Sequence, residues 1–230
     1  LRVTDSAGLY AEQAFTLTVA NVNDAPAFTS TPVTTATQGA PYSYAVVAED
    51  PDLIHGDALT VTAPTLPAWL SLVDHGNGTA TLSGTPTNAD VGANTVVLRV
   101  TDSGGLVDTQ TFTITVANVN DAPTFTSTPV TTATQGAPYS YAVAADDPDL
   151  SYGDALTITA TTLPGWLSLV DHGNATATLS GTPTNADVGE HPVVLRVTDS
   201  GGLSDTQSFT ITVANVNDAP IVTSVIADQA

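Results

Sequence analysis

The stretch "TQTFTITVANVNDAP", residues 109–123, determines the fold class of this 230-residue chain. Its first part alternates strictly, with apolar side chains at Phe112, Ile114 and Val116 and polar side chains between them. Such alternation is typical of a β-strand with one buried face. The asparagines and aspartate that follow favour turns, and Pro123 cannot donate to a sheet ladder. The stretch therefore predicts a half-buried strand that ends at a linker.

The linker recurs, and this recurrence shows that the chain is built from repeats. The motif "ANVNDAP" begins at Ala20, Ala117 and Ala214, a step of 97 residues each time. Residues 25–121 and 122–218 differ at 14 of 97 aligned positions. We predict two whole repeats, residues 25–121 and 122–218, flanked by the last two strands of a preceding repeat, residues 1–24, and the first strand of a following one, residues 219–230.

The rest of each repeat also has a β pattern. Turn-rich clusters such as "DPDLIHGD" and "DSGGL" separate short runs that alternate or are rich in β-branched residues. About seven short strands in about 100 residues are typical of an immunoglobulin-like sandwich. We therefore predict an all-β chain of tandem seven-stranded Greek-key sandwiches, with strands in the first repeat at residues 28–36, 42–48, 58–63, 69–73, 79–84, 94–101 and 109–117.

The composition excludes several classes of function. The chain has 23 acidic residues, three arginines and no lysine, so its formal net charge is −20. Binding to nucleic acid or to an anionic membrane surface requires clustered basic residues, which are absent from this sequence. There is no cysteine for disulfides or thiolate chemistry, and no apolar run approaches the length of a membrane span. The sequence also offers no arrangement of nucleophile, general base and oxyanion hole, so we predict that the protein is not an enzyme.

The acidic residues cluster where the Greek-key topology brings three segments to one pole. These are the loop after the second strand, the end of the sixth strand and the preceding linker. Two carboxylates spaced as Asp-x-Asp on a loop can direct their oxygens towards the same point, and Asn adds a neutral amide oxygen. Such a set of oxygen ligands is suited to Ca²⁺. The alternative for any single acid is a solvated turn. The predicted metal ligands are Asn23, Asp24, Asp50, Asp52, Asp57 and Asp102 in the first repeat, and Asn120, Asp121, Asp147, Asp149, Asp154 and Asp199 in the second.

Several motifs together make the repeats resemble cadherin-like modules, in particular the dystroglycan-type cadherin-like and putative-immunoglobulin modules of bacterial surface proteins. They are "LPAWLSL", "TATLSGTPTNADVG", "LRVTDSGGL" and "TFTITVANVNDAP". The resemblance implies that linker, Asp-x-Asp loop and strand end share calcium at each joint between repeats. It also implies an extracellular or cell-surface protein whose partners are neighbouring repeats of the same chain.

The chain departs from the cadherin pattern at several acidic positions. Asn118 replaces the first aspartate of the linker, Gln135 stands where cadherins have a glutamate, and "TNAD" replaces an acidic motif. We therefore expect fewer than three ions at each joint: one well-formed site, or two at most.

Two functional hypotheses follow from these features. The leading one is a calcium-stiffened structural repeat of a large secreted or cell-surface protein, such as an adhesin stalk or a fibre. The alternative is a module that binds a polysaccharide, for which Trp69 and Trp166 would have to be exposed as stacking platforms rather than packed in the core. The terminal fragments either pack on identical chains in a filament or are the ends of an arbitrary segment of a longer protein. Asn77 and Asn174 lie in N-glycosylation sequons whose use depends on the host.

Overall fold

The computed structural model describes residues 1–221 of two compact units, Leu1–Ala117 and Asn118–Ala230. The first unit contains the first repeat as far as Ala117, and the second unit contains residues 118–121 and the second repeat. Within the described range, no helix has the length and hydropathy that crossing a bilayer requires. The first strand predicted for a following repeat falls on residues 219–230. Residues 219–221 carry no strand, and the others lie outside the described residues.

The first unit begins with a short hairpin. Strands β1 (Arg2–Thr4) and β2 (Tyr10–Glu12) pair antiparallel, and all of their side chains are exposed. The Arg2 guanidinium lies 3.6 Å from the centre of the Tyr10 ring. Residues 1–24 therefore contain two paired strands where the sequence predicts the last two strands of a preceding repeat, but these strands are short. Within the described residues, no second sheet covers the apolar side chains of the hairpin.

The first repeat is a two-sheet sandwich. The strands are β3 (Ala27–Phe28), β4 (Thr35–Thr37), β5 (Tyr42–Glu49), β6 (Thr60–Thr65), β7 (Leu70–Asp74), β8 (Thr79–Gly84), β9 (Gly92–Thr101) and β10 (Val107–Ala117), with 3-10 helices at Pro51–His55 and Asn88–Asp90. One sheet has the order β3-β5-β8-β7 and the other has the order β4-β10-β9-β6. All of the pairs are antiparallel except β4 with β10.

The second repeat has the same topology. Its strands are β11 (Thr124–Phe125), β12 (Thr132–Thr134), β13 (Tyr139–Asp146), β14 (Thr157–Thr162), β15 (Leu167–Asp171), β16 (Thr176–Gly181), β17 (Gly189–Thr198) and β18 (Ser204–Ala214), with 3-10 helices at Pro148–Tyr152 and Asn185–Asp187. Its sheets have the orders β11-β13-β16-β15 and β12-β18-β17-β14. The predicted fold class, tandem immunoglobulin- and cadherin-like sandwiches, is confirmed.

The first strand of each repeat differs from the prediction. A continuous strand over residues 28–36 is wrong, because β3 pairs with β5 in one sheet whereas β4 pairs with β10 in the other. Pro32 lies in the segment that crosses between the sheets, and it has no N–H to donate to a ladder. The Tyr42 hydroxyl donates to Val33 O at 2.8 Å, which ties the crossing segment to the core.

The core of each repeat consists of the inward-facing residues of both sheets. Strand β5 alternates buried and less buried residues along its length, as a half-buried strand should. Leu82, Leu98 and Ile114 are fully buried in the first repeat, as are their equivalents in the second. Burial of each such side chain contributes about 1.5–3 kcal/mol. The alternation quoted from residues 109–117 thus corresponds to the buried face of β10.

The two poles of each sandwich bring together the loops that the Greek key predicts. The loop Asp50–Asp57 and the turn Asp102–Leu106 meet at one pole, which we call the entry pole because the preceding linker reaches it. The equivalent residues of the second repeat are Asp147–Asp154 and Asp199–Leu203. At the opposite pole, which we call the exit pole, Gly39 N donates to Pro86 O at 2.8 Å.

Candidate metal centre

The acidic loop of the entry pole is shaped by its own sequence. In the second repeat Asp147 has extended backbone angles and caps the 3-10 helix Pro148–Tyr152, and its Oδ1 accepts from Asp149 N at 2.8 Å. Proline at the first helical position has the φ that the helix requires and lacks only an N–H that would be unpaired there. Gly153 ends the helix at φ 101°, a left-handed conformation that favours glycine. "DPDLSYGD" is therefore a turn that holds three aspartates close together.

The end of strand β17 supplies the next carboxylate. Asp199 Oδ1 accepts from Leu203 N at 2.7 Å and closes the turn before β18. Asp102 makes the same bond to Leu106 N, also at 2.7 Å. One oxygen of each aspartate is thus used to build the turn, and the other faces the pole.

The linker lies against this pole through the residues that the sequence singles out. Asn120 Nδ2 donates to Asp199 Oδ2 at 2.8 Å, and Asp121 N donates to Asp149 Oδ2 at 2.6 Å. In the first repeat Asn23 and Asp24 make the same bonds to Asp102 and Asp52, at 2.9 Å and 2.6 Å. Asp24 takes part through its backbone N–H, and its side chain is exposed.

A glycine makes room for the linker asparagine. A Cβ built on Gly201 would lie 2.5 Å from Asn120 Nδ2, and one built on Gly104 would lie 2.5 Å from Asn23 Nδ2. Neither glycine has a positive φ, so space for the amide is the reason that glycine is needed here.

The carboxylates of three segments converge. In the second repeat Asp147, Asp154 and Asp199 each offer an oxygen, and these three atoms lie within 4.8 Å of one another. Asp50, Asp57 and Asp102 form the same group in the first repeat. The buried charged side chains of the described residues are all at these two poles: Asp50, Asp52, Asp102, Asp147, Asp149 and Asp199.

Several oxygens of these clusters are buried without a hydrogen-bond partner. In the second repeat they are Asp147 Oδ2, Asp149 Oδ1 and Asp154 Oδ2, and in the first repeat Asp50 Oδ2 and Asp57 Oδ2. A buried carboxylate oxygen without a donor is costly unless a cation compensates it. The unpaired atoms are all hard oxygen ligands, and no histidine or cysteine is among them, so the donor set fits Ca²⁺.

The electrostatics of the second cluster also favour a cation. Burial raises the pKa of the Asp147 carboxyl, and repulsion from the neighbouring Asp154, Asp149 and Asp199 raises it further, although the hydrogen bond from Asp149 N opposes both. A positive ion among these oxygens would remove the repulsion. Beside them lies a polar cavity of about 200 Å³, lined by Asn118, Asn120, Asp149, Tyr152, Gly153, Asp154 and Ser200.

The contributors at the poles that were not predicted as ligands include Asn21, whose Nδ2 donates to Asp52 Oδ1 at 2.9 Å, and two further side chains. The first of these two is the serine after the strand end: Ser200 N donates to Asp154 Oδ1 at 3.0 Å, and its hydroxyl donates to the same oxygen. The hydroxyl is the largest cause that lowers the pKa of Asp154, and Ser103 does the same for Asp57. These bonds leave Oδ2 of each aspartate for the cluster. The sequence signal for this role was the serine of "TDSGG", but serine is common in turns, so the local pattern did not distinguish it.

The second contributor is Gln135, at the exit pole of the second repeat. Its Oε1 accepts from Val216 N at 3.1 Å, and its Nε2 donates to Asp218 Oδ2 at 2.8 Å. The side chain therefore binds the linker that leaves its own repeat. In the sequence, Gln135 was notable only because cadherins have a glutamate there. In the structure, its neutral amide holds the linker by accepting one hydrogen bond and donating another.

The tryptophans pack rather than form a platform. Trp69 is partly buried against the core, meets the Tyr42 ring edge-on at 5.6 Å, and donates from Nε1 to Asn94 Oδ1 at 3.1 Å. Trp166 makes the same edge-on contact with Tyr139. Both tryptophans therefore pack against the cores of their repeats and are not the exposed platforms that the polysaccharide alternative requires.

A comparison with family models assigns the chain. The model described as "Putative Ig domain" matches residues 25–117 and residues 122–214, which together are most of the chain. The chain belongs to this family. Its two Putative Ig domain copies coincide with the two repeats that the 97-residue period defines, apart from the linkers.

Among solved structures, the Putative Ig domain pair has the fold of cadherin ectodomains. It matches PcdhgB3 EC1-4 at a TM-score of 0.63 and 17% identity, covering 86% of this chain and 52% of that one. The Protocadherin GammaB4 extracellular domain matches at 0.60 and 23%, covering 90% and 35%. An endo-fucoidan hydrolase of glycoside hydrolase family 107 is 29% identical over 94% of this chain, at a TM-score of only 0.40. The chain spans 33% of the length of that hydrolase. No curated protein sequence matches it.

Proposed function

We propose that the two repeats are a calcium-stiffened structural segment of a larger secreted or cell-surface protein, in a stalk or fibre with an adhesive or supporting role. The single observation that carries the proposal is the set of buried carboxylate oxygens without hydrogen-bond partners at the entry pole of each repeat. Tandem copies of one fold, 97 residues apart, support a structural role, because a stalk needs repeated units rather than one unique site.

The residues proposed to hold the ion are the metal ligands that the sequence predicts, and they have different roles. Asp147, Asp154 and Asp199 supply carboxylate oxygens, and Asp149 supplies its unpaired Oδ1. Asn120 and Asp121 attach the linker to the same pole. In the first repeat the proposed ligands are Asp50, Asp52, Asp57 and Asp102, with Asn23 and Asp24 in the linker.

The chain's own side chains explain why the metal would stiffen the joint. When bound, Ca²⁺ supplies the positive charge that the clustered carboxylates lack, since the chain has only three basic residues. Without that charge, repulsion among Asp147, Asp154 and Asp199 opposes closing of the pole over the linker. With the repulsion removed, Asn120 and Asp121 are held by their hydrogen bonds, and the segment between repeats loses freedom.

We propose a non-catalytic role for the acidic clusters. One oxygen of each aspartate accepts backbone hydrogen bonds that build the loops, as in Asp147 and Asp199, so these groups serve as structural acceptors. Recognition of a polysaccharide remains the alternative function, but Trp69 and Trp166 are partly buried against the core and pack edge-on against tyrosines instead of standing exposed as platforms.

Calorimetry of the whole chain tests the proposal. The melting temperature is measured after chelation and again with added Ca²⁺ or Mg²⁺. A site that binds only the folded state adds about 2.7 kcal/mol at a free-ion concentration of about 100 Kd. We expect a saturable rise with Ca²⁺ and a smaller one with Mg²⁺, because Mg²⁺ demands stricter geometry.

Small-angle scattering under the same conditions measures the stiffening. We expect a narrower distribution of intramolecular distances in Ca²⁺ than in chelator. Melting curves that coincide in Ca²⁺ and in excess chelator would refute the calcium role, whereas a calcium-dependent melt with unchanged scattering would refute only the stiffening.

A further inference from the structure

The two repeats differ at one turn whose chemistry is independent of metal. The turn between β7 and β8 contains Asn77-Gly78, whereas the equivalent turn between β15 and β16 contains Asn174-Ala175. Both asparagines are exposed. We infer that Asn77 is a self-modifying site, which converts spontaneously to aspartyl and isoaspartyl residues in the folded protein, and that Asn174 is protected by its neighbour.

The reaction needs only the chain and water. The backbone nitrogen of Gly78 attacks Cγ of Asn77, a new C–N bond closes a five-membered succinimide, and the Cγ–Nδ2 bond breaks. Ammonia leaves and carries away the proton of the Gly78 N–H. Water then opens the ring at either carbonyl, which gives aspartate or isoaspartate, so that asparagine and water become an acid and ammonia. Asparagine is among the residues that are chemically labile on heating.

The turn polarises the amide that is attacked. Asn77 Oδ1 accepts from Thr79 N at 3.2 Å and from Thr79 Oγ1 at 2.6 Å. Negative charge develops on this oxygen when the ring closes, and donors already aimed at it stabilise that charge. These two bonds fix the Asn77 side-chain carbonyl against Thr79, the residue that follows Gly78, whose nitrogen is the nucleophile.

The following residue decides which repeat reacts. Gly78 has no Cβ to hinder the approach of its nitrogen to Cγ of Asn77, whereas Ala175 places a methyl group next to the attacking atom. Asn174 Oδ1 also accepts from Thr176 Oγ1, at 2.5 Å, so the polarising hydroxyl is common to both turns. Ala175 has φ 62°, the one non-glycine residue with positive φ in the described chain. The second repeat thus carries a strained alanine where the first has a reactive glycine.

Modification would disturb the edge of the first sandwich. Gly78 O accepts from Ala48 N at 2.7 Å, and a Cβ on Gly78 would lie 2.6 Å from Ala48 O, so this turn sits tightly on the end of β5. An isoaspartyl linkage adds one carbon to the backbone immediately before Gly78. The Ala48–Gly78 bond would then weaken, and the Ala48 amide would exchange faster with solvent.

The test ages the whole folded chain at mildly alkaline pH and maps its peptides by mass spectrometry, with digestion at acidic pH so that the work-up adds no conversion. We expect several-fold faster conversion at Asn77 than at Asn174, as a mass gain of about one dalton and an isoaspartyl fragment. Equal rates at the two sites, or no conversion at Asn77, would overturn the inference.

Exchanging the two neighbours provides the control. Ala175→Gly should bring Asn174 up to the rate of Asn77, and it also relieves the positive φ at residue 175, so this variant is expected to fold. Gly78→Ala should reduce conversion at Asn77 several-fold. Conversion at Asn174 that does not rise in Ala175→Gly would show that the following residue is not the determinant.

Discussion

Asn120 Nδ2 donates to Asp199 Oδ2 at 2.8 Å, although the two residues are 79 positions apart in the chain. Asn23 and Asp102 make the same bond at 2.9 Å across the same separation. The contact joins the linker to the end of β9 or β17, and it forms only when the whole sandwich is folded. The linker and the acidic cluster are therefore coupled, and substitutions in either should change both.

Asp147→Asn should have effects of opposite sign with and without Ca²⁺. The raised pKa of Asp147 means that the charged carboxylate is disfavoured in this cluster. Removing the charge should therefore raise the melting temperature in chelator by a few degrees, since 1 kcal/mol of added stability corresponds to about 4–8 °C in a domain of this size. In Ca²⁺ the variant should melt below the wild type, because a ligand is lost. Asn can still accept from Asp149 N.

Asp146→Asn is the matched control for that charge, since Asp146 is the exposed neighbour of Asp147. It should change neither melting curve by more than a degree or so. A Ca²⁺-dependent gain that survives in Asp147→Asn would contradict the ligand assignment.

Gly201→Ala should release the linker from the entry pole. The added methyl would occupy the space of the Asn120 amide, while the backbone angles at residue 201 tolerate alanine. We expect faster proteolysis within residues 118–121, measured by limited digestion in Ca²⁺. Gly165→Ala is the control, because a Cβ there meets nothing within 4 Å. Equal digestion of both variants would argue against this role of Gly201.

Gln135→Ala should free the linker that leaves the second repeat. The substitution removes the acceptor for Val216 N and the donor to Asp218. Because the site is exposed, the cost should be at the low end of about 0.5–1.5 kcal/mol per bond. Hydrogen exchange of the Val216 amide should accelerate, while that of Ile211, within the ladder of β18, stays slow.

His191→Asn should stabilise the second repeat by roughly 1 kcal/mol. Trp166 Nε1 is buried without a hydrogen-bond partner, whereas its equivalent in Trp69 donates to Asn94 at 3.1 Å. Asn94 Nδ2 also donates to Asp90 O, so asparagine at 191 can replace the present His191 contact with Asp187 O. The reciprocal Asn94→His should destabilise the first repeat, as measured by chemical denaturation. Unchanged midpoints in both variants would refute this account.

Alkaline pH should unfold the sandwiches through two buried tyrosines. Burial raises the pKa of Tyr42 and of Tyr139 to about 12, above the value of 10.0 expected in an unfolded chain. The folded state therefore holds these protons longer, and stability is full below the unfolded pKa and falls as pH rises from that value towards the folded one. Absorbance titration of phenolate should show two tyrosines ionising late, together with loss of the near-ultraviolet dichroism.

Much of the fold was predictable from local pattern. Alternation of Phe112, Ile114 and Val116 determines which face of β10 is buried, because successive side chains of a strand point to opposite faces. The 97-residue period determines the number of repeats without any tertiary information. The division of the first strand around Pro32 was missed, because a proline indicates an interruption but does not say which sheet each half joins.

The candidate site divides in the same way. The sequence by itself determined the acidic loop, since "DPDLSYGD" closes through contacts between near neighbours such as Asp147 and Asp149. Only the tertiary structure decided that Ser200 orients Asp154 across 46 residues, that Asp24 offers its N–H, and that Gln135 holds the departing linker. Those contacts depend on how strands distant in the chain are paired and packed, and local residue pattern carries no record of that arrangement.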